Sequence, residues 1–305
     1  MQLTKTEEQE TVTSGLQTQR DLFPYAMLAP AVIVLLAATL FPFAYAFWTS
    51  LHYYSLANPQ GVRFIGVDNY VNALQDELLW LSLGNSVIYT VTVVVVQSLL
   101  GLGTAILVNR EIRGKGLVRT LLMLPMVMTP VAAALMWRVM YNPQFGILDY
   151  LLGLLGIPPV EWVSSPTTAM PALMLVDTWQ HTPFVFLVLL AGLMAQPLDV
   201  LEAAEVDGAG RWQKFWYVTL PHLRPVFGIV ILFRTMDAFR TFDIIYSMTG
   251  GGPGHSTQTL NLFVFLEAFK FTNMGYACAL GILLLIIIIV ISQFLLRWSR
   301  IEIFE

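Results

Sequence analysis

Residues 197–225 read PLDVLEAAEVDGAGRWQKFWYVTLPHLRP. Asp199 followed by Glu202 has the form of a capping box, an N-cap acid with a glutamate at N3. Val200, Leu201, Ala204 and Val206 give this short helix an apolar side, and Gly208 suits the C′ position that ends it. A second short helix is predicted over Arg211–Val218, with Trp212, Phe215 and Trp216 on one side, and Pro221 is expected to break it. Two small surface helices result. Ala203 and Ala204 are small enough to enter a cleft on another protein. An amphipathic loop lying on lipid headgroups accounts for the composition equally well.

What flanks the segment places it at a membrane. Thr178–Leu198, just before it, contains no Asp, Glu, Lys or Arg. Neither do Leu22–Val62, Leu78–Asn109, Thr120–Trp137 and Phe271–Leu296. A helix needs about 20 mostly apolar residues to cross hydrocarbon. The stretch that follows, 224–248, is apolar but carries Arg234, Asp237, Arg240 and Asp243. The predicted fold class is all-α: a polytopic membrane protein of six transmembrane helices, over 25–50, 82–109, 118–141, 171–196, 224–248 and 273–298, with the surface loop at 197–223. Residues 21–305 form the transmembrane domain. The polar first 20 residues are expected to be a disordered tail, too acidic and too poor in apolar residues for a secretory signal.

Composition agrees. Of 305 residues, 56% are hydrophobic and 12% charged, and the mean hydropathy is +0.68. Soluble domains carry about 25% charged residues, so a water-soluble protein is excluded. One cysteine, Cys278, excludes an internal disulfide framework and a thiolate cluster. A net charge of −4 excludes a basic footprint for nucleic acid.

Orientation follows from the basic residues. With the N-terminus inside, the inside segments hold Lys5, Arg20, Arg110, Arg113, Lys115, Arg119, Arg211, Lys214, Arg224, Arg297 and Arg300, while the outside loops hold Arg63 and Lys270. Both termini are therefore expected in the cytoplasm. Trp48, Trp137 and Tyr141 fall where an interfacial aromatic belt is expected.

Polar groups at membrane depth are functional candidates by default. Span four offers Asp177, Gln180, His181 and Phe184, and span five offers Arg234, Asp237 and Thr241. Residues 177, 181 and 184 share one helical face, as do 234, 237 and 241. A sugar needs hydrogen bonds in both directions and a flat apolar surface, and carboxylates, amides, imidazoles and aromatics supply these. Balanced charge favours a neutral sugar over a phosphorylated one. Two readings stand for the charges: Arg234–Asp237 and Arg240–Asp243 neutralise each other inside the bundle, or they line a pathway. Asn85, Gln97 and Asn273 read as interhelical hydrogen-bonding amides. Gly101 and Gly103 read as close-packing positions.

Several chemistries are missing. There is no G-x-x-x-x-G-K-[ST] loop to cradle ATP, no H-E-x-x-H, no paired Cys/His metal set and no G-x-S-x-G. No catalytic residue and no metal ligand is predicted.

Glu202-Ala203-Ala204, Gly208 and Val218-x-Leu220-Pro221 together resemble the EAA loop that marks permease subunits of binding-protein-dependent ABC importers. Val218 stands where isoleucine is usual. Trp179-x-x-x-Pro183-Phe184, Phe64-Ile65-Gly66-Val67-Asp68-Asn69-Tyr70 and Thr249-Gly250-Gly251-Gly252-Pro253 are similar to the carbohydrate-uptake branch. The likeness covers nearly all of the chain after residue 20. It is to permeases of the maltose and glycerol-phosphate type and, in length and short loops, to trehalose-importer permeases.

The resemblance implies a subunit that is not itself an enzyme. It implies a heteromeric complex with a second homologous permease, a homodimeric cytoplasmic ATPase that binds ATP and Mg, and an extracytoplasmic sugar-binding protein. It places the chain in a bacterial inner or plasma membrane, and implies a sugar substrate, trehalose first; the alternatives are another carbohydrate or a glycerol-phosphate-type solute, or a stand-alone secondary transporter. Glu202, Ala203, Ala204, Asp207, Gly208, Leu220 and Pro221 would form the ATPase-coupling surface, with Glu202 paired to a basic ATPase residue. Truncating one partner of such a buried pair costs about 2–5 kcal/mol. Asp177, Gln180, His181, Phe184, Arg234, Asp237 and Thr241 would line the sugar pathway.

Overall fold

The structure is a computed structural model that describes residues 3–110 and 113–299, with side chains at Tyr25, Met27–Arg110 and Arg113–Arg297. The chain opens with helix α1 (Leu3–Ser50), whose membrane-crossing part is Met27–Ser50. Its bounds take in residues 3–20, expected as a disordered tail; the side chains there lie outside the described residues. A small antiparallel hairpin follows, β1 (His52–Ser55) and β2 (Asn58–Phe64), with His52 opposite Phe64. Then come α2 (Asp68–Gln75) and α3 (Glu77–Asn109). Asp76 caps α3, its carboxylate accepting from the Leu78 N–H at 2.9 Å. The Phe64–Tyr70 motif pins the end of α1. Asn69 Nδ2 donates to the Ser50 and His52 carbonyls at 2.8 and 3.1 Å, and the Tyr70 hydroxyl lies 2.6 Å from Ser50 Oγ.

Span three departs from the expected single helix over 118–141. It consists of α4 (Lys115–Val127) and α5 (Pro130–Met140), bent by 96°. Pro130 starts the second piece, and a residue before proline is pushed out of helical geometry. Thr129 (ψ 143) and Met128 (ψ 141) are both extended. α6 (Ile147–Leu154) and the long α7 (Pro166–Met194) follow.

The loop after α7 holds α8 (Leu198–Val206). Asp199 is not its N-cap; Pro197 is, so Asp199 acts as a first-turn acid at the positive end of the helix. Gly208 sits at C′ as expected, with φ +78. The Gly208 N–H bonds the Glu205 carbonyl and the Ala209 N–H bonds the Ala204 carbonyl, at 3.0 and 2.9 Å, which is a Schellman ending.

Pro221 does not break the next helix. α9 (Arg211–Lys214) passes through a π-turn, Phe215–Thr219, into α10 (Leu220–Phe239), giving one helical run of 29 residues. Proline lacks the N–H of the regular ladder, and the widened turn just before it accommodates that loss.

Span five also ends earlier than expected, at Phe239 rather than 248. The Arg240 and Thr241 N–H groups close back on the Asp237 and Ala238 carbonyls at 3.1 and 3.2 Å, and Asn261 Nδ2 donates to the Arg240 carbonyl at 2.6 Å. α11 (Asp243–Met248), α12 (Leu260–Phe265), a π-turn at Leu266–Lys270 and α13 (Met274–Ser299) complete the described chain.

Among the described residues, five helices are long and apolar enough to cross a membrane, six with the bent pair taken as one span. α3 and α7 form the centre. The most apolar window of α7 is 50% buried, whereas that of α1 is 0% buried, and only Thr49 and Ser50 at its end are enclosed among the described side chains of that helix. Trp137 and Tyr141 are core residues, not belt residues. Tyr141 is fully buried, donates to the Ala172 carbonyl at 3.0 Å and stacks on Trp162, while Trp137 packs edge-on against Trp179. Trp48 remains exposed.

Candidate functional site

The helix–helix register of α3, α7 and α10 brings one polar cluster together in an otherwise apolar bundle. α7 contributes Asp177, 1% exposed. α3 contributes Tyr89 and Gln97, which lie two turns apart on one face and are fully buried. α10 contributes Arg234, 2% exposed. Arg234 Nη2 donates to Asp177 Oδ1 at 2.7 Å, and Arg234 Nε donates to Gln97 Oε1 at 2.8 Å. Gln97 Nε2 donates to Asp177 Oδ1 at 2.7 Å, and the Tyr89 hydroxyl to Asp177 Oδ2 at 2.8 Å. A buried charge is tolerable only when paired and hydrogen-bonded, and here both conditions hold.

The cluster opens toward solvent on one side. Arg234 Nη1 also bonds Asp237, whose side chain is 58% exposed. His181, partly exposed, lies 3.2 Å from Asp177 Oδ1 and 3.9 Å from Asp237 Oδ2. The pathway candidates therefore separate. Asp177 and Arg234 form a buried, saturated pair. His181 and Asp237 form its accessible edge. Arg234 and Asp237 bond each other, with Asp237 at the exposed edge rather than inside the bundle, and no bond joins Arg240 to Asp243 among the described residues. Arg240 donates to the Met236 carbonyl at 3.1 Å, and Asp243 opens a separate helix.

Of the other pathway candidates, Thr241 reaches the cluster through a side-chain hydrogen bond with Tyr89, whereas Gln180 and Phe184 lie apart. Gln180 is buried, and its Nε2 donates to the Met128 carbonyl at 3.0 Å, a group freed by the bend in span three. Phe184 packs with the apolar cluster around Phe186 and Leu189. Thr241 sits half-buried just past the end of α10. Sequence reasoning missed Tyr89, since a tyrosine in an apolar run gives no signal of a buried acceptor. It read Gln97 as an interhelical hydrogen-bonding amide, and Gln97 does bond Asp177 of α7 and Arg234 of α10.

The loop residues stand on the opposite character of surface. Glu202, Ala203, Asp207 and Gly208 are exposed, as is Pro221, with Ala204 and Leu220 partly covered. Leu198, Val200 and Val206 are 70%, 50% and 88% exposed, and Trp212 and Tyr217 project beside them. The loop is tied to the spans at two points. Gln196 Nε2 donates to the Thr219 carbonyl at 3.2 Å, and Lys214 Nζ bonds Glu205. The Lys214 ammonium holds the Glu205 carboxyl below its ordinary range.

Residues 97–300 match the family described as the binding-protein-dependent transport system inner membrane component. A trehalose/maltose transport system permease protein of Thermococcus litoralis is 36% identical over 282 residues, covering 92% of this chain and 94% of that protein. A trehalose transport system permease protein of Mycobacterium tuberculosis is 35% identical, covering 91% and 90%. The sn-glycerol-3-phosphate transport system permease protein of Agrobacterium fabrum is 32% identical, covering 91% and 94%. The crystal structure of a bacterial ABC transporter involved in the import of the acidic polysaccharide alginate has a chain of the same fold. Its TM-score is 0.82 at 22% identity, covering 96% of this chain and 100% of that one.

Proposed function

Because the chain belongs to the family of inner membrane components of binding-protein-dependent transport systems, we propose that it is the sugar-conducting permease subunit of an ATP-driven importer, with trehalose the first solute to test. It is a permease rather than an enzyme, and hydrolysis belongs to a separate ATPase that binds ATP and Mg. Its further partners are a second homologous permease and an extracytoplasmic sugar-binding protein. Both termini lie in the cytoplasm, in keeping with the bias of Lys and Arg.

The observation that carries this reading is the position of α8. It stands between α7 and α10, the two helices that hold the halves of the polar cluster, and it exposes Glu202, Ala203 and an apolar edge. A short, firmly ended helix seated in an ATPase cleft moves as a rigid lever. Its displacement passes through the Gln196–Thr219 and Glu205–Lys214 ties into both helices. Asp177 and His181 then move relative to Arg234 and Asp237.

Charge supports a neutral solute. Arg234 is already bonded to two carboxylates, whereas a phosphorylated solute calls for a basic group that is free to bind it. The names of the trehalose relatives support the choice of disaccharide.

Glu202→Lys tests the coupling. Sugar uptake is expected to fall at least about tenfold, the effect of about 1.4 kcal/mol in coupling free energy, while the spans stay folded. Normal uptake by that variant overturns the assignment of α8.

A further inference from the structure

A cavity of about 450 Å³, with polar and apolar walls, lies between the end of α3, the end of α7 and the loop around α8 and α9. That is within the roughly 300–1,000 Å³ of small-molecule sites. Its walls carry Arg110, Arg211 and Lys214 against a single acid, Glu205. Lys214 and Glu205 bond each other, so that pair is internally neutral. Arg110 and Arg211 have no acidic partner among the described residues. Among the described residues, two guanidinium groups therefore face one cavity without an acidic partner of their own.

Their places in the fold are specific. Arg110 is the C-cap of α3 and Arg211 the first residue of the 29-residue run that forms span five, so the two mark the ends of two spans on one membrane face. In the orientation proposed above, that is the depth of lipid headgroups. The remaining wall is mixed, with Ile106 and Leu193 supplying apolar surface next to the basic groups.

We propose that this cavity holds a phosphate group, gripped between Arg110 at the end of one span and Arg211 at the start of another. The guanidinium fork matches two phosphate oxygens at once, which a lysine ammonium does not. Basic pockets between membrane helices on the cytoplasmic side are suited to anionic headgroups. The cavity shares Glu205 and Lys214 with the tie between α8 and α9, so its occupant braces the lever of the import cycle. The cytoplasmic placement rests on the orientation proposed above, but phosphate binding is measured without transport, so its failure leaves the import reading intact.

The source of the phosphate is either an anionic lipid or a free phosphate ester. Native mass spectrometry of the full chain in detergent, titrated with phosphatidylglycerol and with phosphatidylcholine of the same acyl chains, tests the site. Phosphatidylglycerol is expected to bind at least about tenfold more tightly, and high salt is expected to weaken the preference. Joint Arg110→Gln and Arg211→Gln substitution is expected to abolish it, and Arg110→Lys with Arg211→Lys to restore part of it.

Glycerol 3-phosphate as competitor separates the sources: displacement of the lipid marks a free ester as the ligand, and no displacement marks the headgroup in its membrane. If the double glutamine chain fails to fold, Arg211→Gln alone must lower the preference by at least about threefold, for loss of one of two charge-assisted contacts. Equal binding of the two lipids to the native chain, or an undiminished preference in a folded glutamine variant, overturns the proposal.

Discussion

Asp177 and His181 are one helical turn apart, yet they have different jobs. Asp177 accepts from Arg234, Gln97 and Tyr89 and is sealed from solvent, whereas His181 and Asp237 remain reachable. Removing one partner of a buried ion pair leaves the other charge stranded, at a cost of about 3–5 kcal/mol. Arg234→Met is therefore expected to lower the melting temperature and the yield of assembled complex, and Arg234→Met with Asp177→Leu to recover much of the loss. A single variant that melts like the parent contradicts the structural role. His181→Ala and Asp237→Asn are expected to cut sugar uptake about tenfold while lowering stability by less than Arg234→Met does, since both lie at the accessible edge of the pair. Equal loss of stability and uptake contradicts that division. The sequence grouped 177 with 181 and 234 with 237 correctly, from helical spacing alone. It could not tell which members are buried, because that depends on Tyr89 and Gln97 of a helix some 80 residues earlier in the chain.

At the scale of elements, close approach of α3 and α7 depends on Gly101. A Cβ there would lie 2.6 Å from Val185 Cγ1 and 3.1 Å from the Phe186 backbone nitrogen. A stiff β-branched side chain and backbone cannot both withdraw, so Gly101→Ala is expected to destabilise by about 1–3 kcal/mol in a thermal melt. Gly103, one turn-fraction away, faces open space and tolerates the same change, though sequence gave both glycines the same role.

The turn Leu266–Lys270 carries a pH dependence. Burial pushes the Glu267 carboxyl above its ordinary 4.5, and Asp76 adds to this against the opposing hydrogen bond from Asn273. As pH rises past 4.5 the unfolded chain releases this proton first, so the folded state binds more protons and stability falls until Glu267 itself ionises. Glu267→Gln is expected to flatten that part of the profile of melting temperature against pH and to raise stability at neutral pH. An unchanged profile contradicts it. An element boundary was legible where an apolar run met a capping residue at Gly208, whereas α3 begins at Glu77, behind the Asp76 cap, rather than at the expected 82. Boundaries were not legible where tertiary partners decide: the bend at Met128–Thr129 is stabilised by Gln180, and the end of α10 by Asn261.

The whole molecule is a bundle whose centre is α3, α7 and α10, with α1 laid against its outside. The outward face of α1 and the exposed apolar edge of α8 are the surfaces an isolated chain leaves uncovered, which accords with a subunit built for lipid on one side and partner chains on others. The apolar helices and the surface loop were readable from charge-free stretches and from Pro197–Pro225, although the expected six spans are five crossing-length helices, or six with the bent pair taken as one. The hairpin at 52–64 was not, because its residues show no clean alternation.

In the proposed function, α8 connects ATP hydrolysis on a separate chain to passage of a sugar through this one. The most direct test of that connection is reconstitution of the complex purified through this chain into liposomes, with ATP hydrolysis and sugar entry followed together as trehalose and its capture protein are added. The expected result is hydrolysis that rises with trehalose, in step with its uptake, and uptake lost in the Glu202→Lys complex. Sugar entry without a co-purifying ATPase, or uptake unaffected by Glu202→Lys, would contradict the account.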